Sequence, residues 1–307
     1  MDLVCYGTYC FNFLSKLTNI KVNLYSHRDI DICNKKELEP IIANSDYIIN
    51  CAAYTNVDNA EVDQSQCINV NALAVEDIAK LCVKYNTHLV HISSDFVYGD
   101  VKYKSTYEEL IEEDCVNPIN VYGKSKLDGE LNILKWMSRN FLILRVSWTF
   151  GITGNNFISK IYQQLYDQNV KQLNVVDDQL GRPTSIKLIS YVISQYINGF
   201  IKYGFYNLSN SGQLVSKYEI AEFIKQQTKI NKKINRVKTS DYKSPTKRQL
   251  NSNLNCLKLD KLCVIIRPDW KVDVRDYLSE LEKQKVHNKC VILFDKIKMF
   301  IKDILHV

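Results

Sequence analysis

The fold is decided by NALAVEDIAKLCVKY (71–85) and by HLVHISSD (88–95), which follows it closely. The first stretch carries apolar residues at helical spacing, and the second is a short apolar run typical of a strand buried on both faces. The same alternation continues outward. We predict further strands at DYIINCAA (46–53), VNLY (22–25) and FLILRVSW (141–148), and a second helix at NVYGKSKLDGELNILKWM (120–137). This order predicts an α/β fold, in which helices cover both faces of a parallel sheet.

Beyond residue 150 the pattern loosens, and we predict a smaller second domain there. One helix start is clear, because SKYEIAEFIKQQT (216–228) opens with Ser216 and carries Glu219 three residues later, a capping box. At the carboxyl end, VILFDKIKMFIKDIL (291–305) places its apolar residues on one helical face. We interpret this tail as a helix that packs on the domain or on a partner chain, with association to a membrane surface as the alternative.

Length and composition limit the classes of function. The 307 residues are enough for a sizeable core, and 46% hydrophobic with 24% charged residues is an ordinary globular balance. The net charge of +6 fits an anionic small molecule, and no motif typical of nucleic-acid binding accompanies it. The ten cysteines lack the spacing of a disulfide framework or a metal site. With no signal-peptide pattern and no apolar run of about 20 residues to span a membrane, we expect a cytoplasmic protein without a metal centre.

The amino-terminal stretch YGTYCFNFL (6–14) follows DLVC (2–5), an apolar run short enough for a strand. A turn that binds a dinucleotide carries glycine at three positions, for the tight turn, the approach of backbone to pyrophosphate and helix packing. Here Gly7 occupies the first position, but Cys10 and Phe13 occupy the other two. The stretch is either a nucleotide-binding turn that has lost two glycines, or not such a turn at all. Together with the motifs farther along the chain we interpret it as the first, displaced outward and binding its cofactor more weakly.

Two tyrosines in the chain have a lysine four residues later, Tyr122 with Lys126 and Tyr98 with Lys102. On a helix such a pair shares one face, and the ammonium lowers the pKa of the phenol, which makes it a usable general acid. Tyr122 opens a predicted helix, whereas Tyr98 lies in a turn-rich stretch directly after a strand. That strand ends in polar side chains at 93–95, and strand ends of a parallel sheet converge on one crevice. We therefore predict that Tyr122 donates a proton to a carbonyl group, while the five histidines match no catalytic position.

Seven motifs, in order along the chain, make it similar to one family. They are NCAAYTNVDNAE (50–61), HISSDFVYGD (91–100), NVYGKSKLDGE (120–130), RVSWTFG (145–151), DDQLGRPT (177–184), KRQLNSNL (247–254) and RPDW (267–270). Through them the chain resembles the dTDP-4-dehydrorhamnose reductase family of extended short-chain dehydrogenase/reductases. The resemblance implies a Rossmann-type doubly wound parallel sheet. It implies an NAD(P)-binding domain at 1–150 plus about 172–205, a substrate-binding domain at 151–171 and 206–280, and a tail at 281–307.

The resemblance also implies the chemistry and the residues that perform it. Tyr122 would protonate the 4-keto oxygen of a nucleotide-diphosphate sugar while reduced nicotinamide delivers hydride. Lys126 would hold the nicotinamide ribose, and Ser94 rather than Ser93 would hydrogen-bond the carbonyl. With the amino-terminal positions included, the expected cofactor-binding residues are Gly7, Cys10, Arg28, Asp31, Ile32, Ala52, Ala53 and Thr55. The expected substrate-binding residues are Ser94, Asp95, Trp148, Asn156, Gln179, Arg182, Thr184 and Arg248, the last suited to the diphosphate.

Arg28 decides the expected cofactor. The predicted strand VNLY is followed by Ser26, His27 and Arg28, with no carboxylate where an acidic residue would bind a ribose 2′-hydroxyl. Arginine at this place can face a 2′-phosphate. We therefore expect NADPH as the cofactor, with NADH as the alternative because Asp29 and Asp31 lie close by in sequence.

Two functions remain open at this point. The first is a 4-ketoreductase acting on a nucleotide-diphosphate sugar, with a homodimer as a quaternary state that the family allows. The second is a regulatory subunit of the same fold, similar to the regulatory beta subunit of methionine adenosyltransferase, which has comparable ISSD and YGK-x-KLDGE stretches. The block DDQLGRPT favours the reductase, whereas the poor glycine turn favours a weakened cofactor site.

Overall fold

The computed structural model describes residues 4–17, 20–101, 104–152, 156–241 and 244–285. Within them the strands are β1 (Tyr47–Asn50), β2 (His88–Ser94), β3 (Phe141–Val146), β4 (Thr149–Phe150), β5 (Gln172–Val176), β6 (Leu180–Gly181), β7 (Thr184–Ser185), β8 (Gly204–Leu208), β9 (Val215–Ser216), β10 (Lys233–Val237) and β11 (Asn251–Ser252). The helices are α1 (Val4–Leu14), α2 (Lys35–Ala43), α3 (Val57–Ala60), α4 (Gln64–Ile68), α5 (Ala74–Tyr85), α6 (Val121–Trp136), α7 (Phe157–Tyr166), α8 (Ile186–Ile197), α9 (Lys217–Thr228), α10 (Leu257–Asp260) and α11 (270–285). A π-helical turn (Asn69–Leu73) joins α4 to α5.

A parallel sheet of four strands, in the order β1-β2-β3-β8, forms the centre of the larger part of the molecule. Helices α1 and α8 cover one face, where Leu14 and Val192 share a hydrophobic cluster with Leu142. Helices α2, α5 and α6 cover the other face, where Ile78 and Ile143 belong to a second cluster. Successive residues of β3 thus point to opposite faces, as in any strand. The predicted α/β fold, with helices on both faces of a parallel sheet, is confirmed.

The predicted amino-terminal strand and glycine turn are wrong. Helix α1 already begins at Val4, so Gly7 lies inside a helix, while residues 1–3 lie outside the described ranges. The side chains of Cys10 and Leu14, four residues apart, share one helical face and are buried against the sheet. Burial of this apolar face stabilises the helix. The sequence pattern that suggested a lost turn therefore belongs to an amphipathic helix.

The strand predicted at VNLY (22–25) is also wrong, since these residues form no strand and Leu24 and Tyr25 are exposed. The strand predicted at DYIINCAA is shorter than expected and ends at Asn50. In the part of the chain that the structure describes, β1 pairs with β2 alone and is an edge strand. Residues 22–25 therefore add no strand to the free edge of β1.

A further hydrophobic cluster joins α7, α9 and α11 to the short strands β5 and β10, which pair in parallel. Its buried members include Ile161, Leu173, Ile224 and Trp270. Strand β5 thus packs with this cluster rather than with the main sheet, although its residues fall in the predicted range 172–205 of the first domain. Strand β8, in contrast, belongs to the main sheet. The exact division into two domains stays a prediction.

The predicted capping box at the start of α9 is confirmed. The backbone N–H of Glu219 donates to the Ser216 hydroxyl, and the Glu219 carboxylate accepts from the backbone N–H of Ser216. No helix within the described ranges is long and apolar enough to cross a membrane. The amphipathic helix predicted at 291–305 lies outside the described residues.

The variant Gly7→Ala tests whether Gly7 is helical. In a helix interior, alanine is favoured over glycine by about 1 kcal/mol, and here the added carbon would meet the flexible Leu24 side chain at 3.3 Å. We expect unchanged or higher stability in urea unfolding. The matched change Gly129→Ala in α6 would place a carbon 2.3 Å from the carbonyl oxygen of Asn71, and we expect a loss of about 1–3 kcal/mol. A clearly destabilised Gly7→Ala protein would speak for a glycine turn.

Candidate active site

A cleft of about 540 Å³ opens at the carboxyl ends of β1, β2 and β3. Strand ends of a parallel sheet converge there, and sheets of this type bind ligands at that edge. The walls combine Ser94 and Asp95 from the end of β2, Tyr122 and Lys126 from α6, and Trp148 after β3. The cleft therefore brings together residues that lie far apart in sequence.

Tyr122 lies in the first turn of α6, whose start is fixed by Asn120. The Asn120 side chain accepts a hydrogen bond from the backbone N–H of Gly123, at 2.7 Å. The Tyr122 phenol lines the cleft together with Ser94, whose hydroxyl donates to Oδ1 of Asp95 at 3.0 Å, whereas the neighbouring Ser93 donates its hydroxyl to a buried carboxylate in the core. Burial is the largest influence on the phenol and raises its pKa, which Ser94 lowers in part. Tyr122 is therefore held as the neutral phenol, the form that donates a proton.

Lys126 follows one helical turn later and is buried. Its Nζ donates to the carbonyl oxygen of Ile92, at 2.6 Å, and lies 3.3 Å from Nε2 of His91. Burial lowers the pKa of Lys126 to about 8, although Glu130 acts to raise it. The net pKa of Tyr122 is raised rather than lowered, because burial of the phenol dominates, and the contribution of the Lys126 charge stays a prediction.

Tyr98, the other tyrosine of the pattern, is part of the core. It is fully buried, donates to Oδ1 of Asn207 at 2.8 Å and accepts a hydrogen bond from Arg145 at 3.0 Å. Burial raises the pKa of this phenol as well. Lys102 lies outside the described residues. With its hydroxyl occupied on both sides, Tyr98 is not placed to protonate a ligand in the cleft.

Trp148 has a left-handed backbone conformation, which is unfavourable for a residue with a side chain. Its φ of 45° lies in the left-handed region, which costs a residue with a side chain about 1–3 kcal/mol and is found mainly at functional sites. The indole ring lines the cleft and also packs closely on Gly181, where an added Cβ would lie 3.1 Å from the ring. This packing fixes the ring as one wall of the cleft.

Arg248 places a fixed positive charge at another wall of the cleft. Its guanidinium donates to Oδ2 of Asp58 at 2.9 Å and to the hydroxyl of Ser244 at 2.7 Å. Burial acts to raise the pKa of Asp58, but the hydrogen bonds from Arg248 and Ser244 hold it below its ordinary value. The guanidinium is thus oriented before any ligand arrives.

Sequence reasoning missed Lys217, the first residue of α9. Its Nζ lies 5.4 Å from the centroid of the Trp148 ring and 5.8 Å from that of Phe157. Burial and the charge of Arg248 lower the pKa of Lys217 to about 8, with Asp95 raising it in part. The available signal was position, because a lysine in the first turn of a helix faces the positive end of the helix dipole. A cation kept in such a place favours an anionic ligand.

Comparisons with known proteins agree with this geometry. The family model described as RmlD substrate binding domain matches residues 11–283. The chain belongs to the RmlD family. It is similar to the dTDP-4-dehydrorhamnose reductase of Aggregatibacter actinomycetemcomitans, with 35% identity over 256 residues that cover 79% of this chain and 84% of the relative. The corresponding reductase of Escherichia coli K12 is 32% identical over 250 residues, covering 77% and 80%.

Solved structures of other RmlD-type reductases share the fold. The dTDP-4-dehydrorhamnose reductase of Clostridium acetobutylicum matches with a TM-score of 0.83 and 29% identity, covering 91% of this chain and 96% of that one. The enzyme of Bacillus anthracis, solved in complex with NADP, matches with a TM-score of 0.81 and 25% identity, covering 90% and 95%.

The cofactor-side residues of this RmlD family member fall into two groups. Ala53 and Thr55 line the cleft beside Cys51, and the backbone N–H of Ala52 donates to Asn50 at the end of β1. Their role in binding a cofactor stays a prediction.

The second group does not line the cleft. Gly7 and the buried Cys10 belong to α1, while Arg28 and Asp31 are exposed. Ile32 packs beside the hydrophobic cluster around Tyr54. The cofactor roles of this group stay a prediction.

The substrate-side residues expected from the RmlD resemblance also divide. Asp95, Trp148, Asn156 and Arg248 line the cleft with Ser94. The Asn156 side chain caps α7 and donates to Tyr277. The side chains of the other three donate hydrogen bonds to other parts of the protein. These bonds are Gln179 to Thr239, Arg182 to Asn253 and to the Gly212 backbone, and Thr184 to the Ser147 backbone. None of these three lines the cleft, and their roles stay a prediction. Among the described residues, no group of His, Cys, Asp or Glu could hold a metal ion.

Proposed function

We propose that the chain catalyses the NADPH-dependent reduction of the 4-keto group of a nucleotide-diphospho-4-keto-6-deoxysugar, with dTDP-4-dehydrorhamnose as the substrate. The observation that carries this proposal is the meeting of Ser94, Tyr122 and Lys126 at one cleft of an RmlD family member. The reductases of A. actinomycetemcomitans and E. coli support it by their similarity over most of their length. The same comparisons favour the reductase over a regulatory subunit.

The residues of the cleft fit the nicotinamide end of such a cofactor. Small side chains at Ala53 and Thr55 leave room beside the sheet, and Lys126 lies within the same cleft. Bound NADPH would supply the hydride to the carbonyl carbon. The NADP complex of the B. anthracis enzyme supports this choice, while a role for the exposed Arg28 at the 2′-phosphate stays a prediction, since no strand precedes it.

The chain's own residues handle the proton and the developing charge. The keto oxygen accepts a hydrogen bond from Ser94 and the proton from Tyr122, which starts as a neutral phenol because burial raises its pKa. A general acid placed in this way contributes about 100- to 10,000-fold to the rate. The charge of Lys126 stabilises the tyrosinate that remains, since an ammonium nearby favours the ionised phenol.

The outer part of the cleft suits the diphosphate and the sugar. Arg248 and Trp148 line the cleft, and Lys217, whose Nζ lies 5.4 Å from the centroid of the Trp148 ring, is close enough to feel the charge of Arg248. Charge-assisted hydrogen bonds from such groups are the stronger ones in proteins. The two cations therefore hold the diphosphate while the ring packs on the sugar.

The direct test is NADPH oxidation with a panel of nucleotide-diphosphate 4-keto-6-deoxysugars. We expect turnover with dTDP-4-dehydrorhamnose and slower turnover when NADH replaces NADPH. Controls are the corresponding sugars without the keto group, which should give none. A folded protein that oxidises no NADPH with any member of the panel would refute the reductase and favour the regulatory subunit.

Lys217→Met tests the second cation of the diphosphate site. The variant keeps the length of the side chain but removes the charge, so KM for the nucleotide sugar should rise about 10- to 100-fold, as for one charge-assisted bond. The turnover number should change far less. Lys225→Met, in the last turn of the same helix, is the matched control and should leave KM unchanged. An unchanged KM in Lys217→Met would show that this lysine faces no part of the substrate.

A further inference from the structure

A chain of buried polar groups runs behind the cleft from backbone to catalytic lysine. The backbone N–H of Ala52 donates to Oδ1 of Asn50 at 3.0 Å. Nδ2 of Asn50 lies 3.3 Å from Nδ1 of His91, and Nε2 of His91 lies 3.3 Å from Nζ of Lys126. Asn50, His91 and Lys126 are all buried. Water therefore does not replace any of these side chains as a hydrogen-bond partner of the others.

The direction of each hydrogen bond in this chain follows from its first member. A backbone N–H can only donate, so the oxygen of the Asn50 amide must face Ala52 and the amide nitrogen must face His91. That nitrogen also donates, and Nδ1 of His91 must therefore accept. A neutral imidazole carries one proton, which must then lie on Nε2, pointing at Lys126.

His91 is neutral in this arrangement. Complete burial, followed by the charge of Lys126, holds the pKa of His91 well below its ordinary value. A neutral ring with its proton on Nε2 requires an acceptor at Nζ of Lys126. Only the uncharged amine offers a lone pair there, because an ammonium has donors alone.

We propose that Asn50 and His91 are positioning residues that favour the uncharged amine of Lys126 and thereby set the pH at which the reductase loses activity. The N–H of His91 and an ammonium at Lys126 are both donors, so the ammonium is disfavoured on this side, while Nζ also donates to the Ile92 carbonyl oxygen. The other groups that face Lys126 act in both directions. Burial favours the amine, whereas Glu130, Cys67 and Cys51 favour the ammonium.

The consequence for the enzyme rests on the function proposed above. The ammonium stabilises the tyrosinate left after Tyr122 gives its proton to the keto oxygen, so turnover should fall as the pH rises through the pKa of Lys126. A device that lowers this pKa brings the alkaline limit of activity down toward neutral pH.

Asn50→Asp reverses the direction of the hydrogen bonds from Asn50 to Lys126, and aspartate has almost the same shape as asparagine. An aspartate oxygen accepts from Ala52 on one side and from Nδ1–H of His91 on the other, which moves the imidazole proton to Nδ1. The lone pair of Nε2 then faces Lys126 and accepts from its ammonium. We expect the pKa of Lys126 to rise by at least about 1 unit and the alkaline limb of the turnover–pH profile to move up with it.

The double variant distinguishes an effect passed through the hydrogen bonds of His91 from a direct effect of the new carboxylate charge on Lys126. A new carboxylate would raise the pKa of Lys126 through space whether or not His91 is present, so Asn50→Asp is compared in the wild-type and His91→Phe backgrounds. The pKa is read from the 13Cε resonance of Lys126 in free, lysine-labelled protein, assigned by its absence in Lys126→Met. The proposal predicts that the upward shift in the His91→Phe background is less than half of that in the wild type.

Equal shifts in the two backgrounds, or no shift in either, would overturn the proposal. If His91→Phe does not fold, His91→Gln takes its place, since its amide can turn its oxygen to Lys126 and should by itself raise the pKa. A downward or absent shift in that variant would also overturn it. Because the resonance is followed without cofactor or substrate, its outcome is independent of whether the chain reduces a nucleotide sugar.

Discussion

Tyr122→Phe should lower turnover by about 100- to 10,000-fold. The change removes the one hydroxyl that the structure places beside Ser94 in the cleft as a neutral phenol, while the ring keeps its edge-to-face contact with Phe96. Thermal unfolding should therefore be close to that of the wild type. The measurement is steady-state NADPH oxidation with dTDP-4-dehydrorhamnose, with KM determined separately so that loss of binding is not mistaken for loss of chemistry.

Tyr98→Phe is the matched control for this variant. It removes the hydroxyl that donates to Asn207 and accepts from Arg145 in the core, so its effect should be on stability, with turnover of the folded protein nearly unchanged. Turnover that survives in Tyr122→Phe but is lost in Tyr98→Phe would exchange the roles of the two tyrosines.

Arg145→Met should destabilise the protein by about 3–5 kcal/mol. Arg145 on β3 and Glu130 on α6 form a buried ion pair, with the guanidinium donating to both carboxylate oxygens. The same guanidinium donates to the Tyr98 hydroxyl and to the Glu112 carbonyl oxygen. Its removal leaves the Glu130 carboxylate buried without its cation, which costs far more than the pair itself contributes. Urea unfolding followed by circular dichroism measures the change.

An exposed pair provides the comparison for Arg145→Met. Lys225 and Glu222 lie three residues apart on α9 and are partly solvent-exposed, so Lys225→Met should change stability by no more than about 0.5 kcal/mol. Similar losses in the two variants would mean that the buried pair is screened by water and does not hold β3 to α6.

The central part of the fold could be predicted from the sequence because its signals are local and repeated. The stretch at 88–95 is a short apolar run, the stretch at 120–137 is longer and carries helical spacing, and their alternation with similar segments favours a strand and a helix. That the polar strand end at 93–95 lies near Tyr122 could likewise be expected, since strand ends converge at one edge of a parallel sheet. The choice of Ser94 over Ser93 came from the resemblance to the reductase family.

The amino-terminal segment could not be predicted correctly for a physical reason. The apolar run before Gly7 suits a strand, but the chain lacks glycine at positions 10 and 13 and buries Cys10 on one face of a helix. Packing of that face against the sheet outweighs the short strand-like pattern. Because Gly7 is helical, there is no displaced turn at this place that could weaken the cofactor site.

Contacts made across the fold account for the remaining differences. No spacing in the sequence links Lys217 to Trp148, because the two come together only in the folded chain, where the start of α9 lies beside the Trp148 ring. His91 matched no catalytic position, yet it lies directly behind Lys126. The sequence did carry a sign of this role, since His91 is a polar residue between apolar residues of a strand predicted to be buried on both faces.

The most direct measurement of the central claim is hydride transfer itself. Wild-type protein is incubated with dTDP-4-dehydrorhamnose and NADPH carrying deuterium at the transferable position of the nicotinamide, and the isolated sugar nucleotide is examined by mass spectrometry and NMR. The account predicts a reduced product with one deuterium on the sugar carbon that bore the keto group, and its loss in Tyr122→Phe. Folded wild-type protein that binds the sugar nucleotide but transfers no deuterium to it would contradict the account.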